Sequence, residues 1–110
     1  MRQAVLPVEG LPGSPLDAAA TFHAGYVGRV RDALASVDNL VLVFAPADHT
    51  HRSWRLAAVE ELAREAAPKR VNAVVGDEKA AMAETIAYLE AAPGVTGQVL
   101  VVDGKSGETR

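Results

Sequence analysis

The sequence predicts an α/β domain with a truncated Rossmann-like three-layer fold, in which a four-stranded, mainly parallel sheet is flanked by helices. Four extended runs alternate with three helical runs along the 110 residues. This alternation is typical of parallel sheets with helical crossovers, which we expect to be right-handed. The second extended run, Asn39 to Ala45, is apolar after its first residue, as a strand buried on both faces would be. We expect residues 1–110 to form one domain.

The first strand and helix have clear boundary signals. Residues Gln3 to Val8 are short, apolar and β-branched, and a turn-rich loop follows. Ser14 is the expected N-cap of the first helix and Pro15 its first residue. The helix is predicted to extend to about Ala35, with apolar residues at spacings of three and four on one face: Phe22, Tyr26, Val30, Ala33, Leu34 and Val37.

The later elements follow in the same alternating order. Residues Trp54 to Ala67, rich in Ala, Leu and Glu, give the strongest helical pattern. The third strand is predicted over Arg70 to Val75. Asp77 is the expected N-cap of a helix that ends near Ala92, and Gln98 to Val102 forms the last strand.

Composition excludes several classes of function. The net charge is −3 and the basic residues are scattered, so no basic stripe indicates nucleic-acid binding. There is no cysteine, and therefore neither a disulfide framework nor thiolate chemistry. The longest apolar runs, such as Leu40 to Ala47, are too short to cross a bilayer, so we expect no membrane partner. The N-terminal residues lack a secretory stretch, which favours a cytoplasmic location.

Two segments resemble the second half of the short-chain dehydrogenase/reductase family, strands four to seven. Residues Ala57 to Val74 look like the family's long helix and sixth strand, and Gly94 to Gly104 look like its seventh strand. Leu40 to Ala45 stands where the fifth strand belongs, and Gly13 to Tyr26 is similar to the loop and helix after the fourth. The resemblance implies a degenerate, C-terminal half of a Rossmann-like enzyme.

The resemblance also implies that the family's catalytic residues are missing. Arg52 stands at the position of the family's catalytic Tyr and Leu56 at that of its Lys. The family's Ser falls near Ala45, and Arg29 is the nearest candidate for its Asn. Since a guanidinium keeps its proton near neutral pH, Arg52 cannot replace a phenol in proton transfer. No glycine-rich phosphate turn is present, so we expect no cofactor, or NAD(P) only where a partner supplies the missing half.

One loop concentrates polar chemistry at the predicted carboxyl ends of the strands, where α/β sheets bind ligands. This loop, Pro46 to Ser53, can be a small-anion or metal site in which His49 and His51 act with Asp48 or Asp77. It can also be a solvated polar loop before a helix, because two histidines and one aspartate without a third fixed ligand are weak evidence for a metal site. We therefore expect no catalytic, cofactor or metal residues, and name as ligand-site candidates Asp48, His49, His51, Arg52 and Asp77.

Three functions are compatible with these observations. The first is a non-catalytic module that assembles as a homodimer, or with a dehydrogenase-like chain. The family dimerises through the two helices after strands four and five, and through its last helix and strand, which are the retained parts. Loss of strands one to three would also leave a bare sheet edge. The second is a short-chain dehydrogenase-type oxidoreductase, or subunit, that needs a partner to bind NAD(P), or a small hydrolase or isomerase built on the histidine loop. The third is a small-ligand-binding regulator that uses this loop.

Overall fold

The computed structural model describes residues 3–102 and confirms the predicted α/β architecture. Four strands, all parallel, form one sheet in the order β1-β2-β3-β4. In chain order the elements are β1 (Gln3–Val8), α1 (Pro15–Leu34), β2 (Asn39–Phe44), a 3-10 turn (His49–His51), α2 (Arg52–Ala66), β3 (Arg70–Val75), α3 (Lys79–Glu90) and β4 (Val99–Val101).

Helices cover both faces of the sheet, which makes three layers. On the first face, α1 and α2 pack against alternate residues of β2 and β3, with Phe22 and Phe44 fully buried between them. On the second face, α3 packs through Met82 and Leu89 against the intervening residues, of which Val41 is one. Because β2 and β3 are apolar on both faces, each face needs a helical cover.

The placement of α3 corrects one expectation. The strands follow one another in a single direction across the sheet, whereas α3 lies on the face opposite to α1 and α2. Two connections that advance in the same direction on opposite faces have opposite hands. The β3–α3–β4 connection therefore has the opposite hand to the first two, and right-handed crossovers throughout were a wrong prediction. Three helices on one face would have left the other apolar face bare.

Most predicted boundaries hold to within two residues. Ser14 caps α1 as expected, and its Oγ accepts a hydrogen bond from the Asp17 amide at 3.5 Å. Asp77 does not cap α3; Glu78 does, with its carboxylate accepting from the Ala80 and Ala81 amides at 3.2 and 2.8 Å. The connection that carries the chain to the second face stays extended for one residue more than the sequence suggested.

Buried polar side chains fix the segment that leads into β4. Asn72, fully buried on β3, donates to the Val95 carbonyl and accepts from the Gln98 amide, both at 3.0 Å. The Thr96 hydroxyl accepts from the Val71 amide at 3.1 Å. Thr96 therefore helps to hold the segment before β4 against β3. Gly104 and Asp103, at the end of the segment that resembles the family's seventh strand, lie outside the described residues.

None of the helices within residues 3–102 has the length and apolar character needed to span a membrane.

Candidate functional site

A cavity of about 280 Å³ lies at the carboxyl ends of the strands, between the start of α2 and β4. Most of its lining surface is apolar, and polar side chains contribute the rest. The residues that line it come from the loop after β2, the first turns of α2 and the ends of β3 and β4: Pro46, Ala47, Asp48, His49, His51, Arg52, Arg55, Leu56, Val75, Gly76, Val99 and Val101.

Asp48 organises the loop at the rim. Its carboxylate accepts hydrogen bonds from the Thr50 amide, at 2.9 Å, and from the Thr50 hydroxyl. These bonds stabilise the charged form, so the pKa of Asp48 lies below its ordinary value. Asp48 thus caps the 3-10 turn, and this turn leads directly into α2. The helix therefore begins at Arg52, two residues before the predicted start at Trp54.

His51 connects three parts of the structure instead of facing a ligand. Its ring is buried, with only 7% exposed. The indole N–H of Trp54 donates to His51 Nδ1 at 3.0 Å, so the ring proton resides on Nε2, which donates to the Gly13 carbonyl, also at 3.0 Å. Both ring nitrogens are used, and the histidine ties the start of α2 to the loop after β1.

Arg55 is the residue that the sequence analysis did not single out. It lies on the inward face of α2, only 8% exposed, and lines both this cavity and a neighbouring one beside the loop after β1. Nη1 donates to the Ala45 carbonyl at 3.0 Å, and the guanidinium lies 4.5 Å from the ring centroid of Phe44. The spacing of Arg55 to Ala58 and Leu62 was the signal that could have placed it inside.

The structure brings four of the five ligand-site candidates to one cavity. Asp48, His49, His51 and Arg52 line it, with His49 and Arg52 exposed at its rim, whereas Asp77 is exposed and does not line it. Over residues 3–102, no three side chains of the metal-ligating types His, Cys, Asp and Glu converge on one point. The ring of His51 is already committed to its two hydrogen bonds. The arrangement suits an anion better than a metal ion.

Comparison with known families gives one match, which spans residues 6–102 and carries the description "Short chain dehydrogenase-like protein" (SDR-like). This range covers β2, β3, β4 and all three helices, together with the second half of β1. The chain belongs to the SDR-like family. Searches of curated proteins and of solved structures returned no match.

The sequence resemblance placed the family's catalytic Tyr and Lys at Arg52 and Leu56. Arg52 and Leu56 both line the cavity, one turn apart on α2, so the positions face a common space. No tyrosine and no lysine is among the lining residues of the described chain. Tyr26 is buried elsewhere, bonded through its hydroxyl to the backbone of Glu9 at 2.9 and 3.0 Å.

The other tyrosine, Tyr88, lies on α3 at the opposite side of the sheet and is 57% exposed.

The described residues of this SDR-like chain do not fit a dinucleotide. The loop between β1 and α1 contains Gly10, with φ of +76°, but the space beside it is open, whereas a cradle would be closed by an added Cβ. In the cavity next to this loop, the loop itself supplies the negative charge of Glu9 and, at Pro12, a residue without an amide proton, and the positive charge comes only from Arg55 on α2. A pyrophosphate requires converging N–H groups and positive charge. No catalytic step is therefore derived through NAD(P).

Proposed function

We propose that this SDR-like chain is a non-catalytic assembly module that pairs through β1. One observation carries the proposal. Val5 and Val41 are register partners on neighbouring strands and point to the same face, yet Val5 is 46% exposed and Val41 is fully buried. The helix α3 covers β2 and β3 and reaches β1 only at Gln3, whose side chain donates to the Ile86 carbonyl at 3.3 Å, so Val5 and Pro7 are left uncovered.

At β1, part of one face lacks a covering helix and one edge lacks a neighbouring strand in the described chain. Within residues 3–102, β1 pairs with β2 on one side and has no strand on the other. Pro7, also exposed, supplies no amide proton, so it leaves the edge with fewer donors. Natural sheets usually protect such edges with charge, bulges or a cover, and the side chains of β1 that face α3's side are an amide, a valine and a proline.

A second copy of the chain is the partner we propose. Two β1 strands can pair antiparallel about a two-fold axis, which places both Val5 side chains on one face of a continuous sheet. The absence of a phenol and an amine at the positions of Arg52 and Leu56 supports a role without proton transfer. NAD(P) would enter only where another dehydrogenase-like chain brings the residues that bind it.

The test uses one lysine variant for each candidate surface, with mass measured by light scattering over a range of concentrations. Val5→Lys probes β1, Leu16→Lys the outer side of α1, and Tyr88→Lys the outer side of α3. These side chains are 46%, 84% and 57% exposed, so each variant should fold.

We expect the wild-type chain to be a dimer and Val5→Lys alone to dissociate. About half of a buried valine's ~1.5–3 kcal/mol is lost in each copy, which corresponds to roughly a 10- to 150-fold weaker dimer. If Leu16→Lys dissociates the dimer and Val5→Lys does not, the interface lies on α1 and not on β1. A wild-type monomer at all concentrations would refute the homodimer. A rise in Tm with added NADH or NADPH would contradict the non-catalytic proposal.

A further inference from the structure

The inference concerns Arg55, which holds a position that the rest of α2 gives to apolar residues. Arg55 is followed on the same inward face by Ala58, Val59, Leu62 and Ala63, all buried. Arginine keeps its charge at every physiological pH. A buried charge is stabilised only by hydrogen bonds and an opposite charge.

The described residues provide part of that stabilisation. One nitrogen of the guanidinium bonds to the Ala45 carbonyl, and its plane lies near the rings of Phe44 and Trp54, at 4.5 and 5.9 Å from their centroids. Nε, however, is buried and has no hydrogen-bond partner among residues 3–102. Neither of the ion pairs formed within residues 3–102 includes Arg55. Burial accordingly lowers its pKa, and no carboxylate in the described part of the chain opposes the effect.

The cavity beside Arg55 has the chemistry of a small amphipathic site. Its walls include Leu56, Val75, Val99 and Val101, and its volume of about 280 Å³ suits a small molecule. Arg52 adds a second positive charge at the rim, and Asp48 adds one negative charge. The lining therefore carries a net positive charge in a protein whose overall charge is −3. The carboxylate of Asp48 disfavours a dianion.

We infer that Arg55 anchors a binding site for small organic monocarboxylates. The carboxylate binds the guanidinium, and a short apolar body lies against Val99 and Val101. This inference is independent of assembly through β1, because the cavity lies at the carboxyl ends of the strands on the face of α1 and α2. The proposed ligand binds beside the polar loop that the sequence analysis identified. The residue that binds its carboxylate is the buried Arg55 and not the exposed Arg52.

The test is a titration with sodium benzoate, followed by Tm and by fluorescence of Trp54, the single tryptophan, which lies beside the guanidinium. Benzamide is the neutral counterpart, and sodium chloride matches the ionic strength. We expect Tm to rise with the logarithm of benzoate concentration and not with benzamide. Inorganic phosphate should give a smaller rise. Loss of the charge-assisted bonds in Arg55→Met should weaken benzoate binding by roughly 10- to 150-fold.

Matched variants separate binding from folding. Arg64→Met removes an exposed arginine from the same helix and should leave the response unchanged. Leu56→Glu places a carboxylate in the cavity wall and should abolish the response, whereas Leu16→Glu changes a leucine outside the cavity and should not. Leu56→Glu decides the question if Arg55→Met does not fold.

Four results would overturn the inference. If benzamide stabilises the protein as much as benzoate does, the negative charge of the ligand plays no part in binding. If phosphate stabilises it as much as benzoate does, contact with the apolar walls plays no part. An unchanged response in both Arg55→Met and Leu56→Glu would place binding elsewhere. Asp103 follows the described residues directly, so Asp103→Asn is included. A response that appears only in this variant would mean that the chain's own carboxylate already binds the guanidinium.

Discussion

Replacement of His51 by alanine should destabilise the fold, although the neighbouring His49 can be replaced at little cost. His51 is buried and accepts the indole N–H of Trp54 at 3.0 Å while donating to the Gly13 carbonyl at 3.0 Å. His49 is exposed on the same 3-10 turn. The pair is a matched comparison, since the same chemical change is made two residues apart in different surroundings.

The magnitude follows from the two hydrogen bonds. Gly13 is exposed, so water replaces the bond to its carbonyl, but the half-buried indole N–H of Trp54 loses its partner at a cost of about 1–2 kcal/mol. Lost packing of the ring adds roughly 1 kcal/mol. The free energy of unfolding of His51→Ala should therefore fall by about 2–3 kcal/mol, or roughly 10 °C or more in Tm for a domain of this size. His49→Ala should change it by less than about 0.5 kcal/mol.

Urea denaturation followed by tryptophan fluorescence is the assay, because the single tryptophan contacts the substituted residue. Circular dichroism at the same urea concentrations checks that the fluorescence reports global unfolding. His51→Phe keeps an aromatic ring at this position and removes the hydrogen bonds, so it should lose only their part, about 1–2 kcal/mol. Equal losses in His51→Ala and His49→Ala would refute the reasoning.

Two further predictions concern a tight contact and a titrating group. Gly76→Ala should lower the free energy of unfolding by about 1–3 kcal/mol, because the added Cβ would lie 2.8 Å from the Val102 carbonyl oxygen. Gly25→Ala adds a Cβ in open space on a helix and should raise the free energy of unfolding by up to about 1 kcal/mol. Thermal unfolding of the two variants measures both changes. The Asp48 pKa is depressed, so its stabilisation is present above its ordinary pKa and is lost as pH falls through the folded value. The stability difference between wild type and Asp48→Asn should shrink below about pH 4 in urea titrations, and a constant difference would contradict this.

The sequence predicted strands and helices well wherever a local pattern determines them. The bounds of β1 and β3 were predicted to the residue, because each is a short valine-containing run that ends shortly before a glycine. Ser14 was found because an N-cap followed by proline is a local signal. The hand of the β3–α3–β4 connection was predicted wrongly, because it depends on which face of the sheet still lacks a covering helix and no local pattern shows this.

The site was predicted only in part for a related reason. A polar loop at the carboxyl ends of the strands was visible in the sequence, and four of its candidates line one cavity. The sequence does not distinguish exposed His49 from buried His51, since only tertiary contacts with Trp54 and Gly13 separate them. Arg55 was counted among scattered surface charges, although helical spacing already grouped it with core residues. Assembly through β1 and the binding of a carboxylate stay predictions.

The position of α3 has a consequence for synthesis on the ribosome. While the chain emerges, α1 and α2 can cover the first face of β1, β2 and β3 as soon as these strands exist. Val41 and Val74 on the second face have no helix packed over them until α3 has been synthesised. The nascent protein therefore passes through a half-covered stage in which a β-branched surface is open to solvent and to chaperones. This stage ends only when residues 79–90 have emerged and formed α3.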